Sequence, residues 1–204
     1  MFGFVKKIGM TRLFLDQKSV AVTAVQFEDQ KVVQRKTIQK DGYQAFQVGH
    51  GSKRKRKQPI SGHIKKHLKE EDYFSKISEF KSDIPEDKTD FTINDFQKND
   101  SVTLVGITKG KGFAGAVKRY HFRGQPKSRG HDHVRAVGSI GSRWPQRTLP
   151  GKKMAGQMGN EQRTLQNLVI VDIDVEKKLI YIKGSVTGAN KSLLKIAKTI
   201  KHVS

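Results

Sequence analysis

The sequence predicts a mainly β protein, in which a small closed barrel carries a small α+β insertion and a long basic loop. Three observations lead to this prediction. Short β-branched and aromatic runs recur along the chain, a basic run interrupts them near residue 51, and glycine and cationic residues dominate residues 109–160. Because closure removes the exposed edges of a sheet, six or more short strands favour a barrel or a sandwich, and we prefer the barrel.

Three runs near the N-terminus have the composition of strands. Residues 20–27 (VAVTAVQF), 31–37 (KVVQRKT) and 43–48 (YQAFQV) are rich in β-branched or aromatic residues and are separated by polar turns. Their spacing predicts a meander of hairpins.

The pattern changes in residues 51–82, which we interpret as an α+β insertion on the barrel. Residues 61–71 (SGHIKKHLKEE) predict a short helix with Ser61 as its N-cap, and the following FSKISEF predicts an edge strand. The insertion opens with a basic run that either contacts phosphates or forms a solvated surface, and contact is favoured because the rest of the chain is also basic. The candidate contacts of this run are Lys53, Arg54, Lys55, Arg56 and Lys57.

The second half of the chain returns to strand patterns after the basic loop. Residues 101–108, 168–173 and 179–182 predict strands, and residues 193–200 fit a strand or a helix. We therefore assign residues 1–50, 83–122 and 161–204 to the barrel body.

The stretch from residue 109 to 160 is the most unusual part of the chain. It contains twelve Lys or Arg, ten Gly and a single acid, Asp132, within a chain of net charge +21. So few apolar side chains cannot offset the entropy of ordering the backbone. We expect an external polyanion to order it, and a folded nucleic acid supplies both charge and shape. A membrane surface favours an amphipathic helix, and this segment offers none.

The cationic, histidine and tryptophan side chains of this stretch are the candidate contacts to nucleic acid. Lys and Arg neutralise phosphates, whereas His and Trp hydrogen-bond or stack on bases. The candidates are Lys109, Lys111, Lys118, Arg119, Arg123, Lys127, Arg129, His131, His133, Arg135, Arg143, Trp144, Arg147, Lys152 and Lys153. The rings of Trp144 and Phe122 have an alternative role, which is to plug the base of the loop.

The sequence GKGFAG, with Gly110, Gly112 and Gly115, matches a dinucleotide-binding fingerprint between a predicted strand and a possible helix that begins near Gly112. That motif also requires a second buried strand ending in an acid that holds the ribose. The residues that follow are too rich in Gly, Pro and charge for such a strand. We therefore reject an enzyme of this type. The helix start, with its free N–H groups, is either a phosphate contact or a solvated basic helix end.

Two further groups of side chains resemble a metal site or a catalytic triad in composition. His131, Asp132 and His133 lack a suitably spaced third metal ligand and lie among cations, which disfavours a divalent ion. Ser128, His131 and Asp132 form a triad by composition only, since nothing rigid positions them. We predict no metal, no cofactor and no enzymatic activity.

Further absences indicate a cellular location. The chain contains no cysteine, no apolar run long enough to span a bilayer and no secretory signal at its start. We expect a cytoplasmic protein.

Five blocks of the sequence, in order, resemble the bacterial form of the ribosomal protein L3 family of the large subunit. They are FVKKIGMTRLF, KDGYQAFQVG, TKGKGFAGAVKRYHFRGQPKSRG, RAVGSIGS and GKKMAGQMGNEQRTLQNL. The combination of GKGFAG with GKKMAGQMG about 40 residues later is far more specific than any single glycine pattern.

The resemblance implies a six-stranded barrel of the translation-protein type. It also implies a structural, non-catalytic constituent of the large subunit that binds the 3′ domain of 23S rRNA and acts early in assembly. The loop would cover residues 123–160, with its tip at residues 151–159 directed toward the peptidyl transferase centre. Gln157 matches a glutamine that is N-methylated in some bacterial relatives and joins the candidate RNA contacts. Ribosomal proteins L-fourteen and L-nineteen are the implied neighbours, with no membrane, small-molecule substrate or homo-oligomer.

Overall fold

The protein is mainly β, as predicted. The computed structural model describes residues 2–15, 17–28, 30–52, 58–68, 74–80 and 90–199. Contacts divide the chain into two compact units, the first formed by Met1–Ile107 with Gln162–Ser204 and the second by Thr108–Glu161.

Twelve strands and three α-helices are present in the described residues. The strands are β1 (Phe2–Leu15), β2 (Lys18–Phe27), β3 (Gln30–Lys36), β4 (Ala45–Ser52), β5 (Phe74–Phe80), β6 (Asp90–Phe91), β7 (Ser101–Ile107), β8 (Phe113–Ala114), β9 (Gly156–Gln157), β10 (Gln162–Asp174), β11 (Leu179–Lys183) and β12 (Leu193–Lys198). The helices are α1 (Ile38–Asp41), α2 (Gln58–Leu68) and α3 (Ala116–Tyr120), and Ile93–Asp95 form a 3₁₀ turn.

Six strands of the first unit pair in a ring. Their order is β1-β12-β7-β10-β11-β2, every pairing is antiparallel, and β2 pairs back with β1 from Phe27 opposite Val5 to Lys18 opposite Leu15. Alternation along the strands directs one set of apolar side chains inward. Among them Phe4, Leu104 and Ile180 are fully buried, and they belong to one continuous hydrophobic core.

Four of the predicted runs correspond to strands of this ring. They are residues 20–27, 101–108, 168–173 and 179–182. The ambiguous run at residues 193–200 contains β12, whose pairings with β1 and β7 define it as a strand. The sequence patterns did not predict β1, although this strand pairs with both β2 and β12. Glycines and cations interrupt its apolar alternation.

A second sheet has the order β5-β4-β3-β6. The structure therefore places β3 and β4 outside the six-stranded ring, whereas we had assigned residues 1–50 to the barrel body. The reason is backbone pairing, because β3 pairs with β4 and β6, and β4 pairs with β3 and β5.

The insertion contains the predicted kinds of element with different bounds. The predicted edge strand FSKISEF is β5, at one end of the described sheet. The helix begins at Gln58, so Ser61 lies within it and is not its N-cap. Pro59 explains the earlier start, since proline is tolerated in a first helical turn. The five candidate contacts Lys53, Arg54, Lys55, Arg56 and Lys57 lie outside the described residues.

A buried histidine lies beside the core of the first unit. His50 is 2% exposed, and its ring centroid lies 4.2 Å from that of Phe4. Its Nδ1 is 3.1 Å from Oε2 of Glu28, whereas Nε2 is buried without a hydrogen-bond partner. Burial lowers the pKa of His50, although the hydrogen bond to Glu28 opposes this effect.

We expect the free energy of unfolding of the first unit to decrease as the pH falls below about 6.5. The unfolded chain then binds more protons than the folded chain, because the folded pKa of His50 lies below its ordinary value of 6.5. The stabilisation is complete above the unfolded pKa and is lost as the pH falls toward the folded one. One such group gives a slope of at most about 1.4 kcal/mol per pH unit.

Urea unfolding at pH 7.5, 6.5 and 5.5 measures this slope. His50→Gln is expected to reduce it, whereas His133→Gln, at an exposed position of the second unit, is expected to retain it. Equal slopes in both variants would contradict the assignment to His50.

Candidate nucleic-acid interface

The second unit begins directly after β7 and ends directly before β10. Its two ends run side by side, since the backbone N of Thr108 donates to the oxygen of Glu161 at 2.9 Å. The N of Lys111 donates to the oxygen of Met158 at 2.8 Å, and the N of Met158 donates to the oxygen of Gly112 at 2.9 Å. These bonds continue into β8 and β9, where Phe113 lies opposite Gln157 and Ala114 opposite Gly156. We call this two-stranded segment, residues 108–114 with 156–161, the loop base.

The loop base includes residues that we had assigned to the barrel body. The second unit starts at Thr108, whereas the predicted loop starts at Arg123. The pairing of β8 with β9 is the reason, because it joins residues before Arg123 to residues near the end of the loop.

This unit has almost no hydrophobic core. Ala114 and Ala116 are its only buried residues. Two close backbone approaches require glycine: a Cβ on Gly159 would lie 2.1 Å from the oxygen of Lys109, and one on Gly124 would lie 2.7 Å from that of Val134. Both glycines have a positive φ. Backbone contacts thus hold the unit together where side-chain packing does not.

The cations of the unit are exposed and unpaired. Within residues 108–161, none of the twelve Lys and Arg side chains forms an ion pair, and all of them except Arg119 are exposed. The exposed ones are Lys109, Lys111, Lys118, Arg123, Lys127, Arg129, Arg135, Arg143, Arg147, Lys152 and Lys153. Eleven uncompensated charges on a coreless unit make a surface suited to phosphate groups.

Arg119 has an internal role that its residue type did not reveal. Its Nη1 donates to the backbone oxygen of Met154 at 3.1 Å, and its guanidinium lies 5.0 Å from the ring centroid of Tyr120. A Cβ on Gly156 would lie 2.7 Å from the same Nη1. Arg119 therefore connects α3 to the returning strand of the loop base.

The other candidate side chains of the loop lie at its surface. His131, His133 and Gln157 are exposed, and Trp144 is 71% exposed. Trp144 therefore does not plug the loop base. Phe122 is half-buried, with its ring centroid 6.3 Å from that of Tyr120.

The GKGFAG segment is not built as a dinucleotide site. Its glycines flank β8, which has two residues and pairs antiparallel with β9, and the helix α3 has five residues and begins at Ala116 after Gly115. In the described residues that follow, up to Ala155, no strand occurs. The second strand that such a site requires is therefore missing from this unit.

The described residues give no support for a catalytic triad or a metal site. Ser128, His131 and Asp132 are exposed, and no hydrogen bond joins them. No group of three His, Asp or Glu suited to a metal ion occurs in the part of the chain that the structure covers. No helix in that part is both long and apolar enough to cross a bilayer.

Sequence reasoning missed one exposed side chain in the unit. Phe113 of β8 is 79% exposed, more than any other large apolar residue described. The glycine spacing of GKGFAG drew attention to the backbone, although the aromatic residue at the centre of the motif was a signal in itself.

A family model and individual relatives, each compared with this chain, point to the same family. The family model described as ribosomal protein L3 matches residues 21–178. A relative named large ribosomal subunit protein uL3 from Chlorobaculum tepidum is 42% identical over 205 residues, covering 96% of this chain and 97% of the relative. A protein of the same name from Thermotoga maritima is 42% identical over 195 residues, covering 94% and 93%.

These matches extend over nearly the whole sequence and include the loop. Their identity and coverage confirm the resemblance found in the five sequence blocks. The chain belongs to the ribosomal protein L3 family.

Proposed function

We propose that this protein is a structural, non-catalytic component of the large ribosomal subunit that binds rRNA mainly through the unit of residues 108–161. One observation carries the proposal: this unit has eleven exposed, unpaired cations and almost no core. A surface of this kind needs a polyanion to neutralise it. Family membership and the printed name of the relatives, large ribosomal subunit protein, support rRNA as that polyanion.

The location within the subunit follows from the family resemblance. The first unit, as a barrel of the translation-protein type with its insertion, binds the 3′ domain of 23S rRNA. The loop extends from its base toward the peptidyl transferase centre, and L-fourteen and L-nineteen are neighbours. Residues 156–159, which we had predicted at the loop tip, are not proposed there, because their pairing with residues 111–114 makes them part of the loop base. The protein acts in the cytoplasm, within the ribosome.

The exposed side chains and the glycines of the loop suit a segment that passes through folded RNA. Exposed Lys and Arg neutralise phosphates, and the exposed His131, His133 and Trp144 are available to hydrogen-bond or stack on bases. Glycines let the backbone pass where a side chain would clash. Gln157, a proposed site of N-methylation, lies exposed on β9, where an enzyme could reach it before assembly.

An early role in assembly follows from this geometry. A segment without a core is more easily placed while the rRNA is still open than after the RNA has closed around it. The protein is therefore proposed to join the subunit early, and its depletion should stall large-subunit precursors.

Sedimentation of a cell lysate through sucrose gradients at low and high salt tests the proposal. We expect the chain to migrate with the large subunit under both conditions, because a loop enclosed by RNA resists salt that removes loosely bound basic proteins. A basic protein known to be stripped at the higher salt is the internal control. Recovery at the top of both gradients would overturn the proposal.

A further inference from the structure

The loop base has two different faces. Side chains that lie directly opposite each other on paired strands point to the same face, with Cβ atoms about 4.5–5.5 Å apart. Ala114 is buried and lies opposite Gly156, which packs against Arg119, so this face is turned inward. Phe113 and Gln157 occupy the other face, and both are exposed.

Neither exposed side chain has a partner within the described chain. The ring of Phe113, 79% exposed, makes no aromatic or cation–π contact there, and the side-chain amide of Gln157 makes no hydrogen bond. A large apolar ring in water loses the free energy that its burial would provide. The arrangement is a flat apolar surface next to an amide that both donates and accepts hydrogen bonds.

Backbone pairing fixes the positions from which the two side chains project. The hydrogen bonds from Lys111 to Met158 and from Met158 to Gly112 set the register that places Phe113 opposite Gln157. Little backbone conformational freedom is therefore lost when a ligand binds to this face.

The surrounding charge selects the class of ligand. Lys109 and Lys111 precede Phe113, Lys118 follows it, and Asp132 is the sole acid of residues 109–160. A protein partner would bring apolar surface to a ring that has cations on both sides of it in the sequence, whereas an unpaired nucleotide brings both a phosphate and a flat base. Aromatic side chains next to hydrogen-bonding groups and cations are the usual means of binding unstacked RNA bases.

We propose that Phe113 and Gln157 form a base-binding platform, on which Phe113 stacks against an unpaired rRNA base and Gln157 hydrogen-bonds to the edge of that base or its neighbour. The inference rests on the proposed function and adds to it a specific contact at the loop base. Base–aromatic stacking of this kind changes binding by roughly 5- to 150-fold when the ring is removed.

Acylation of rRNA 2′-hydroxyls, which marks flexible nucleotides, tests the platform in assembled subunits. A tagged chain is expressed beside the untagged wild type, and large subunits are isolated through the tag. For Phe113→Leu we expect about fivefold or greater acylation at one or a few nucleotides, because the apolar bulk remains while the stacking ring is lost. Gln157→Ala is expected to raise reactivity at the same or adjacent nucleotides, and Phe113→Trp to restore the wild-type pattern.

Phe14→Leu is the matched control. Phe14 is 72% exposed and lies in the first unit, on β1. Its substitution is expected to leave the nucleotides affected by Phe113→Leu unchanged. A Phe113→Leu pattern identical to wild type would overturn the platform while leaving the proposed function intact.

A photo-cross-linking residue at position 113 of the otherwise unchanged chain identifies the occupant directly. We expect cross-links to rRNA at the nucleotides found by acylation. Cross-links to protein alone, or none, would overturn the platform even if Phe113→Leu failed to assemble. If the tagged wild-type chain itself were absent from large subunits, the proposed function would fall, and the platform with it.

Discussion

Replacing four exposed loop lysines with glutamine, in the variant K109Q/K111Q/K127Q/K152Q, is expected to weaken binding of the full chain to large-subunit rRNA by roughly 100- to 1,000-fold near 0.1 M salt. All four side chains are exposed, and none forms an ion pair in the described chain. Each phosphate contact that is lost removes about 0.7–0.9 from the slope of log K against log salt. We therefore expect the slope to fall by about 3 if all four contact phosphates.

Filter binding to the rRNA transcript at several salt concentrations measures both quantities. The matched control is K18Q/K40Q/K183Q/K191Q, which removes the same charge from exposed lysines of the first unit. If net charge alone governed binding, the two variants would weaken it equally. A loop variant with the affinity and slope of the control would contradict the assignment of the interface to residues 108–161.

Composition was sufficient to propose this interface. The excess of Lys and Arg over acids in residues 109–160 is independent of fold, and the structure describes those cations as exposed and unpaired with the single exception of Arg119. Arg119 shows the limit of that reasoning, because its inward orientation depends on the backbone oxygen of Met154, 35 residues away. Residue type predicts a charge, but only tertiary contacts determine which way the side chain points.

The fold was predictable to a similar extent. Local runs of β-branched and aromatic residues identified most strands, because such side chains fit a pleated, half-buried surface. The division between two sheets was not predictable, since β3 and β4 have ordinary strand patterns and are distinguished only by their pairing with β5 and β6. Strand β1 was missed because its apolar residues do not alternate: the buried Phe4 and Val5 are adjacent, Gly3 precedes them, and Lys6 and Lys7 follow them.

The loop base depends on backbone contacts, so one added methyl group there should have a large effect. In Gly159→Ala the new Cβ would lie 2.1 Å from the carbonyl oxygen of Lys109, at a φ of +73° that L residues rarely adopt. The strained φ costs about 1–3 kcal/mol, and the backbone must also move away from Lys109. Each interstrand hydrogen bond broken by that movement adds about 1 kcal/mol. We expect the loop base to open while the first unit keeps its stability.

Amide hydrogen exchange of Lys111 and Met158, which donate the central hydrogen bonds of the loop base, measures this opening in the full chain. Gly112→Ala is the matched control, because Gly112 has a φ of +68° but open space where its Cβ would lie. It incurs the conformational cost without the collision. We expect Gly159→Ala to accelerate exchange of both amides by at least tenfold more than Gly112→Ala does, since a further 1.4 kcal/mol of lost stability corresponds to about a factor of ten. Equal acceleration in the two variants would mean that backbone strain alone, and not the close approach of Gly159 to Lys109, holds the position as glycine.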